Sequence, residues 1–90
     1  MINTWKEVSN SITKEFIFDN FAQALAFVNK VGVLAESANH HPNILMYDYK
    51  KVTITLTTHD ERKVTHKDTS LAKKIDSIST TSYSISLSSS

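Results

Sequence analysis

Pro42 is the only proline in the chain, and it stands where two periodic patterns meet. Its ring bars His41 from the α region and it has no N–H to donate, so no helix runs through it. Upstream, Phe21, Ala24, Leu25, Val28, Val31 and Ala35 recur at i, i+3, i+4 and i+7, which predicts an amphipathic helix. Asp19 or Asn20 caps its start, and Gln23 stands three residues after Asn20, as in a capping box. Downstream, Val52, Ile54 and Leu56 alternate with Thr53, Thr55, Thr57 and His59, a strand apolar on one face. Helix and strand must therefore be joined through His40-His41-Pro42. Gly32, the only glycine, costs the helix roughly 1 kcal/mol relative to alanine. A close approach of another backbone is the expected reason for it.

The flanking segments complete the pattern. Trp5 to Val8 alternates as a short strand, Ser9-Asn10-Ser11 signals a turn, and Ile12, Phe16 and Phe18 share one parity of a second strand. Residues 44–49 and 51–58 read as two strands, or as one strand kinked near Asp48. Residues 60–64 form a charged loop. Thr65 with Asp68 three residues later resembles a capping box, and Leu71, Ala72, Ile75 and Ile78 form the apolar stripe of a second helix. From Ser79 the chain is nearly all Ser and Thr, a composition that predicts a disordered tail over 79–90. The order β-β-α-β-β-α, with hairpin-compatible strand pairs, predicts an α+β fold: one domain over 1–78, with a four-stranded antiparallel sheet and helices packed on one face.

Bulk properties narrow the function. Formal net charge is +1 with both signs interspersed, which leaves no basic footprint for nucleic acid and no polybasic membrane patch. With no cysteine, disulfides, thiolate chemistry and cysteine-ligated zinc are excluded. No apolar run reaches transmembrane length, and Met1 to Glu7 does not read as a secretory signal. A soluble cytoplasmic protein is expected. A core this small makes oligomerisation a reasonable expectation.

Three of the four histidines, His40, His41 and His59, fall at element ends, where polar groups gather without breaking a core. If the helix persists to His40, Glu36 lies one turn earlier on the same face. That carboxylate and the negative helix end both favour an imidazolium. His59, at a spent strand beside Asp60, is a second proton carrier. Histidines so placed also serve as helix caps or solvated surface, and spacing alone favours those uses for any one of them. Zinc ranks below acid–base work, because adjacent histidines diverge and H-x-H and H-E-x-x-H spacings are absent.

The segments Glu36-Ser37-Ala38-Asn39-His40-His41-Pro42, Tyr49 through Thr57-Thr58-His59-Asp60, Val64 to Asp68 and Leu71 to Asp76 resemble pterin-4a-carbinolamine dehydratases. The likeness extends upstream through Trp5 and Phe16 to Phe21, and E-x-x-x-H-H-P with a later T-H-D is its specific part. It implies dehydration of 4a-hydroxytetrahydropterin to quinonoid dihydropterin, in recycling of the pterin used by aromatic amino acid hydroxylases. It implies His40 and His59 as the acid–base pair, with His41 mainly holding substrate and Glu36 supporting His40. Asn39, Thr57, Thr58 and Asp60 would line the pterin site. It implies no metal or organic cofactor, and a homodimer or homotetramer. The alternative is a non-catalytic dimerisation module of the same fold, since animal members also partner a homeodomain transcription factor. A histidine-based metal protein is the third reading. Among the departures from the family pattern, two concern loops near the site. The family's usual Gly-Gly after T-H-D is replaced by Arg62-Lys63, which predicts a differently turned loop. The Pro42-to-Tyr49 spacing is one residue longer than usual, which predicts a bulge near Asp48.

Overall fold

The computed structural model describes residues 5–58 and 60–88, with side chains through Ile78. The elements are β1 (Lys6–Val8), β2 (Ser11–Ile17), α1 (Phe21–Ala38), β3 (Asn43–Tyr47), β4 (Lys51–Leu56) and α2 (His66–Ser88). The strands form one antiparallel sheet in the order β1-β2-β4-β3. β1–β2 and β3–β4 are hairpins, as expected. The central β2–β4 pair joins segments far apart in sequence, with Ile12 opposite Leu56 and Phe16 opposite Val52.

That register puts Ile12, Phe16, Val52, Ile54 and Leu56 on one face of the sheet. Ala24, Phe27 and Val31 of α1 and Leu71, Ala72 and Ile75 of α2 join the same buried cluster. Both helices therefore cover one face, and Thr13, Thr53 and Thr55 occupy the other. Each fully buried Leu, Ile or Val contributes about 1.5–3 kcal/mol, so the shared cluster is the main source of stability. Trp5 seals one side: its ring meets Phe16 edge-on at 6.1 Å, and its Nε1–H donates to Asp76 Oδ2 at 3.0 Å.

Local chemistry explains the helix starts. Asn20 Oδ1 accepts the Gln23 N–H at 2.9 Å, while Gln23 Oε1 accepts the Asp19 N–H at 3.2 Å. Thr65 caps α2, with Asp68 Oδ2 accepting the Thr65 N–H at 2.9 Å.

Three expectations are revised. Gly32 meets nothing within 4 Å of where a Cβ would stand, so no described backbone requires it. No bulge interrupts β3–β4. The extra residue is taken up in the hairpin turn, where Asp48 and Tyr49 both adopt left-handed backbone, φ 50° and 51°. The 58–63 loop keeps a left-handed residue without glycine, since Arg62 has φ 54°. Its amide donates to the Thr58 carbonyl at 2.8 Å, a bond that helps hold it there. α2 runs on past Ile78 to Ser88. Once nucleated, a helix gains one hydrogen bond for each residue added. The side chains of 79–88, and Ser89-Ser90, lie outside the described residues.

Candidate active site

The site begins at the end of α1. Asn39 leaves the helix in left-handed backbone, φ 53° and ψ 41°. The His40 N–H donates to the Ala35 carbonyl at 3.1 Å and the Asn39 N–H to Glu36 at 3.2 Å. This is a Schellman ending, with asparagine in the place most often taken by glycine. The reversal turns His40 inward and leaves His41 exposed, with Pro42 holding the chain extended into β3.

Each histidine has its own carboxylate. His40 Nε2 lies 2.5 Å from Asp68 Oδ1, and His41 Nε2 lies 2.8 Å from Glu36 Oε2. The expected Glu36–His40 pair is not formed. The i, i+4 relation needs helix through His40, and α1 stops at Ala38, so Glu36 meets the next imidazole instead.

Asp68 is the residue that sequence reasoning missed as part of the site. It is fully buried at the start of α2. Besides His40, it accepts the Thr58 hydroxyl at 2.8 Å and the Thr65 N–H at 2.9 Å, both on Oδ2. Burial pushes its pKa up, but the hydrogen bonds from His40, Thr65 and Thr58 and the His40 charge outweigh that, so it lies below the ordinary 3.8. A signal for it was present in the sequence. Asp68 belongs to the stripe Asp68, Leu71, Ala72, Ile75, at i, i+3, i+4 and i+7. A carboxylate on the apolar face of a helix is buried and must find donors.

Thr58 ties the second stretch to the first: its buried hydroxyl bonds Asp68, whose other oxygen holds His40. Thr57 donates its hydroxyl to the Asn10 carbonyl at 2.6 Å, pinning β4 to the β1–β2 turn. Asn39 and Asp60 are exposed. His59 lies outside the described residues. The loop around it closes through Thr58, whose N–H donates to Lys63 O at 3.1 Å and whose carbonyl accepts from Glu61 and Arg62. Among the described residues no three His, Cys, Asp or Glu side chains gather as a metal-holding group. Nor is any helix there long and apolar enough to cross a membrane.

The arrangement is suited to proton transfer: one half-buried imidazole anchored on a buried anion, with a second, exposed imidazole beside it. A family profile for pterin 4 alpha carbinolamine dehydratase matches residues 1–78. A protein of Sulfurisphaera tokodaii, provisionally named pterin-4-alpha-carbinolamine dehydratase, is 47% identical over 76 residues, spanning 84% of this chain and 81% of that protein. The crystal structure of a transcriptional coactivator/pterin dehydratase from Brucella melitensis superposes with a TM-score of 0.80 at 34% identity, covering 86% of this chain and 83% of that one. A pterin dehydratase-like protein identified as a RuBisCO assembly factor in the alpha-carboxysome has a TM-score of 0.69 at 25% identity, covering 83% and 86%. By sequence over nearly its whole described length, the chain belongs to the pterin-4-alpha-carbinolamine dehydratase family.

Proposed function

We propose that this protein dehydrates 4a-hydroxytetrahydrobiopterin to quinonoid dihydropterin, as a cytoplasmic hydro-lyase in tetrahydrobiopterin recycling. The observation that carries the reading is the His40 imidazole anchored on buried Asp68, with His41 on Glu36 beside it. Loss of hydroxide from the carbinolamine carbon requires a proton on the leaving oxygen. As the C=N bond forms, N5 gives up its own proton. Atoms balance with water as the second product and need no metal or organic cofactor. An imidazole can deliver the first proton and another can accept the second near neutral pH, help worth about 10²–10⁴-fold.

In this reading His40 and His59 form the acid–base pair and His41 holds the substrate. The anionic Asp68 balances the charge that His40 takes on with a proton. Thr57 and Thr58 donate their hydroxyl protons within the protein, so their part is to shape the pterin site. Asn39 and Asp60 line its rim. The working unit is a homodimer or homotetramer.

The test is turnover of freshly made 4a-hydroxytetrahydropterin, followed by ultraviolet absorbance with and without chelator. Activity that survives chelation is expected, and His40→Ala and His59→Ala should each lower kcat by about 10²–10⁴-fold with the fold retained. Unchanged rates in both variants would refute the assignment. A second reading, a non-catalytic dimerisation module, draws support from Phe21, Leu25 and Val33, exposed at four- and eight-residue steps along α1. It also draws on the coactivator and assembly-factor descriptions of the two similar structures. Inactive protein that binds a helical partner would favour it.

A further inference from the structure

The hydrogen bonds around Asp68 have a definite direction. Thr58 Oγ1 lies 2.8 Å from Asp68 Oδ2 and 2.7 Å from Thr65 Oγ1. A hydroxyl has one proton, and that of Thr58 goes to the carboxylate, so Thr65 donates to Thr58. Thr65 Oγ1 in turn accepts the Lys67 N–H at 3.2 Å. The Thr65 N–H also points at Asp68 Oδ2, at 2.9 Å. The chain of donors therefore runs inward and ends on an ionised carboxylate, which can only accept.

The 2.5 Å contact on the other carboxylate oxygen must then be His40 Nε2–H donating to Oδ1. Neutral His40 thus carries its proton on Nε2 and its lone pair on Nδ1. No buried side-chain nitrogen or oxygen among the described residues lacks a partner. Nδ1 has no hydrogen bond to any described residue, and the His40 side chain is 14% exposed.

We infer that Asp68, held by Thr58 and Thr65, is a positioning residue that fixes His40 in the Nε2–H form and makes Nδ1 the nitrogen that takes up and returns the proton. The catalytic half of this statement rests on the dehydratase reading. The tautomeric half does not. The device is economical in residues: the carboxylate that accepts the N–H of Thr65, the cap of α2, also orients the imidazole at the end of α1.

Asp68→Asn is the discriminating change. The amide oxygen must still face the Thr58 and Thr65 donors, so the NH₂ group faces His40. Nε2 must then accept, and the proton moves to Nδ1. Long-range ¹⁵N–¹H spectra of the full chain at a pH where His40 is neutral read this directly. We expect a protonated Nε2 in the unsubstituted protein, a protonated Nδ1 in Asp68→Asn, and kcat lower by about 10²–10⁴-fold with KM little changed. A neutral His40 protonated on Nδ1 in the unsubstituted protein overturns the inference, whether or not the variant folds. So does a folded Asp68→Asn that retains full kcat. If the spectra behave as expected but the unsubstituted protein does not turn over the carbinolamine, the dehydratase reading fails and the positioning role of Asp68 stands.

Discussion

Asn39 shows how one residue's backbone serves a neighbour's chemistry. Left-handed backbone costs a residue with a Cβ roughly 1–2 kcal/mol, less for asparagine and nothing for glycine. Its φ of 53° is what swings His40 out of the helical path and toward Asp68. Asn39→Ala is expected to lower unfolding free energy by about 1 kcal/mol and to reduce turnover, and Asn39→Gly should keep the stability, as measured by urea titration. If Asn39→Gly is stable but inactive, the amide touches the pterin; if both properties survive, the residue serves only the turn. Asp68 carries the second prediction. Its folded pKa lies below the ordinary 3.8, so the stabilisation is fully present above 3.8 and is lost as pH falls through the lower folded value. Urea midpoints recorded from pH 6 down to pH 2 should drop in the acid limb, and Asp68→Asn should remove that part of the drop. An unaltered acid limb would mean that another carboxylate is responsible.

At the scale of the element, α1 carries a cost that nothing described in its surroundings explains. Gly32 lies between Val31, which is fully buried, and Val33, which is 70% exposed, and meets nothing within 4 Å. Gly32→Ala should therefore recover most of the helix-propensity difference, about 0.8–1 kcal/mol, or roughly 4–8 °C in Tm for a domain of this size. Differential scanning calorimetry checks it. A fall in Tm would mean that a partner chain approaches Gly32 closely. The capping residues behave as sequence reasoning expects, because Asn20 with Gln23 and Thr65 with Asp68 act over three residues and need no distant help. The element ends were less legible. Tyr49 and Arg62 both hold positive φ, although neither residue type announces it.

For the whole molecule, the apolar surface left uncovered is the main fact. Leu45 is 59% exposed on edge strand β3, and Val33 is 70% exposed on α1. A single chain with so small a core gains from covering such groups, the reason an oligomer is expected. Light scattering behind size exclusion should give a mass of two or four chains. A monomer that is nonetheless active would remove the oligomer from the mechanism.

Sequence alone determined what depends on near neighbours. Period and punctuation indicated the element order, hairpin-compatible strand pairs and the apolar parity of Val52, Ile54 and Leu56. Residue types at element ends brought the histidines forward as candidates. Only the tertiary structure decided which carboxylate meets which imidazole. That choice turned on where α1 stops and on burial of Asp68 in the first turn of α2, where Thr58 and His40 meet it across separations of 10 and 28 residues. Hydrogen-bond partners in a buried site are selected by packing over the whole chain, and a local pattern carries no record of it.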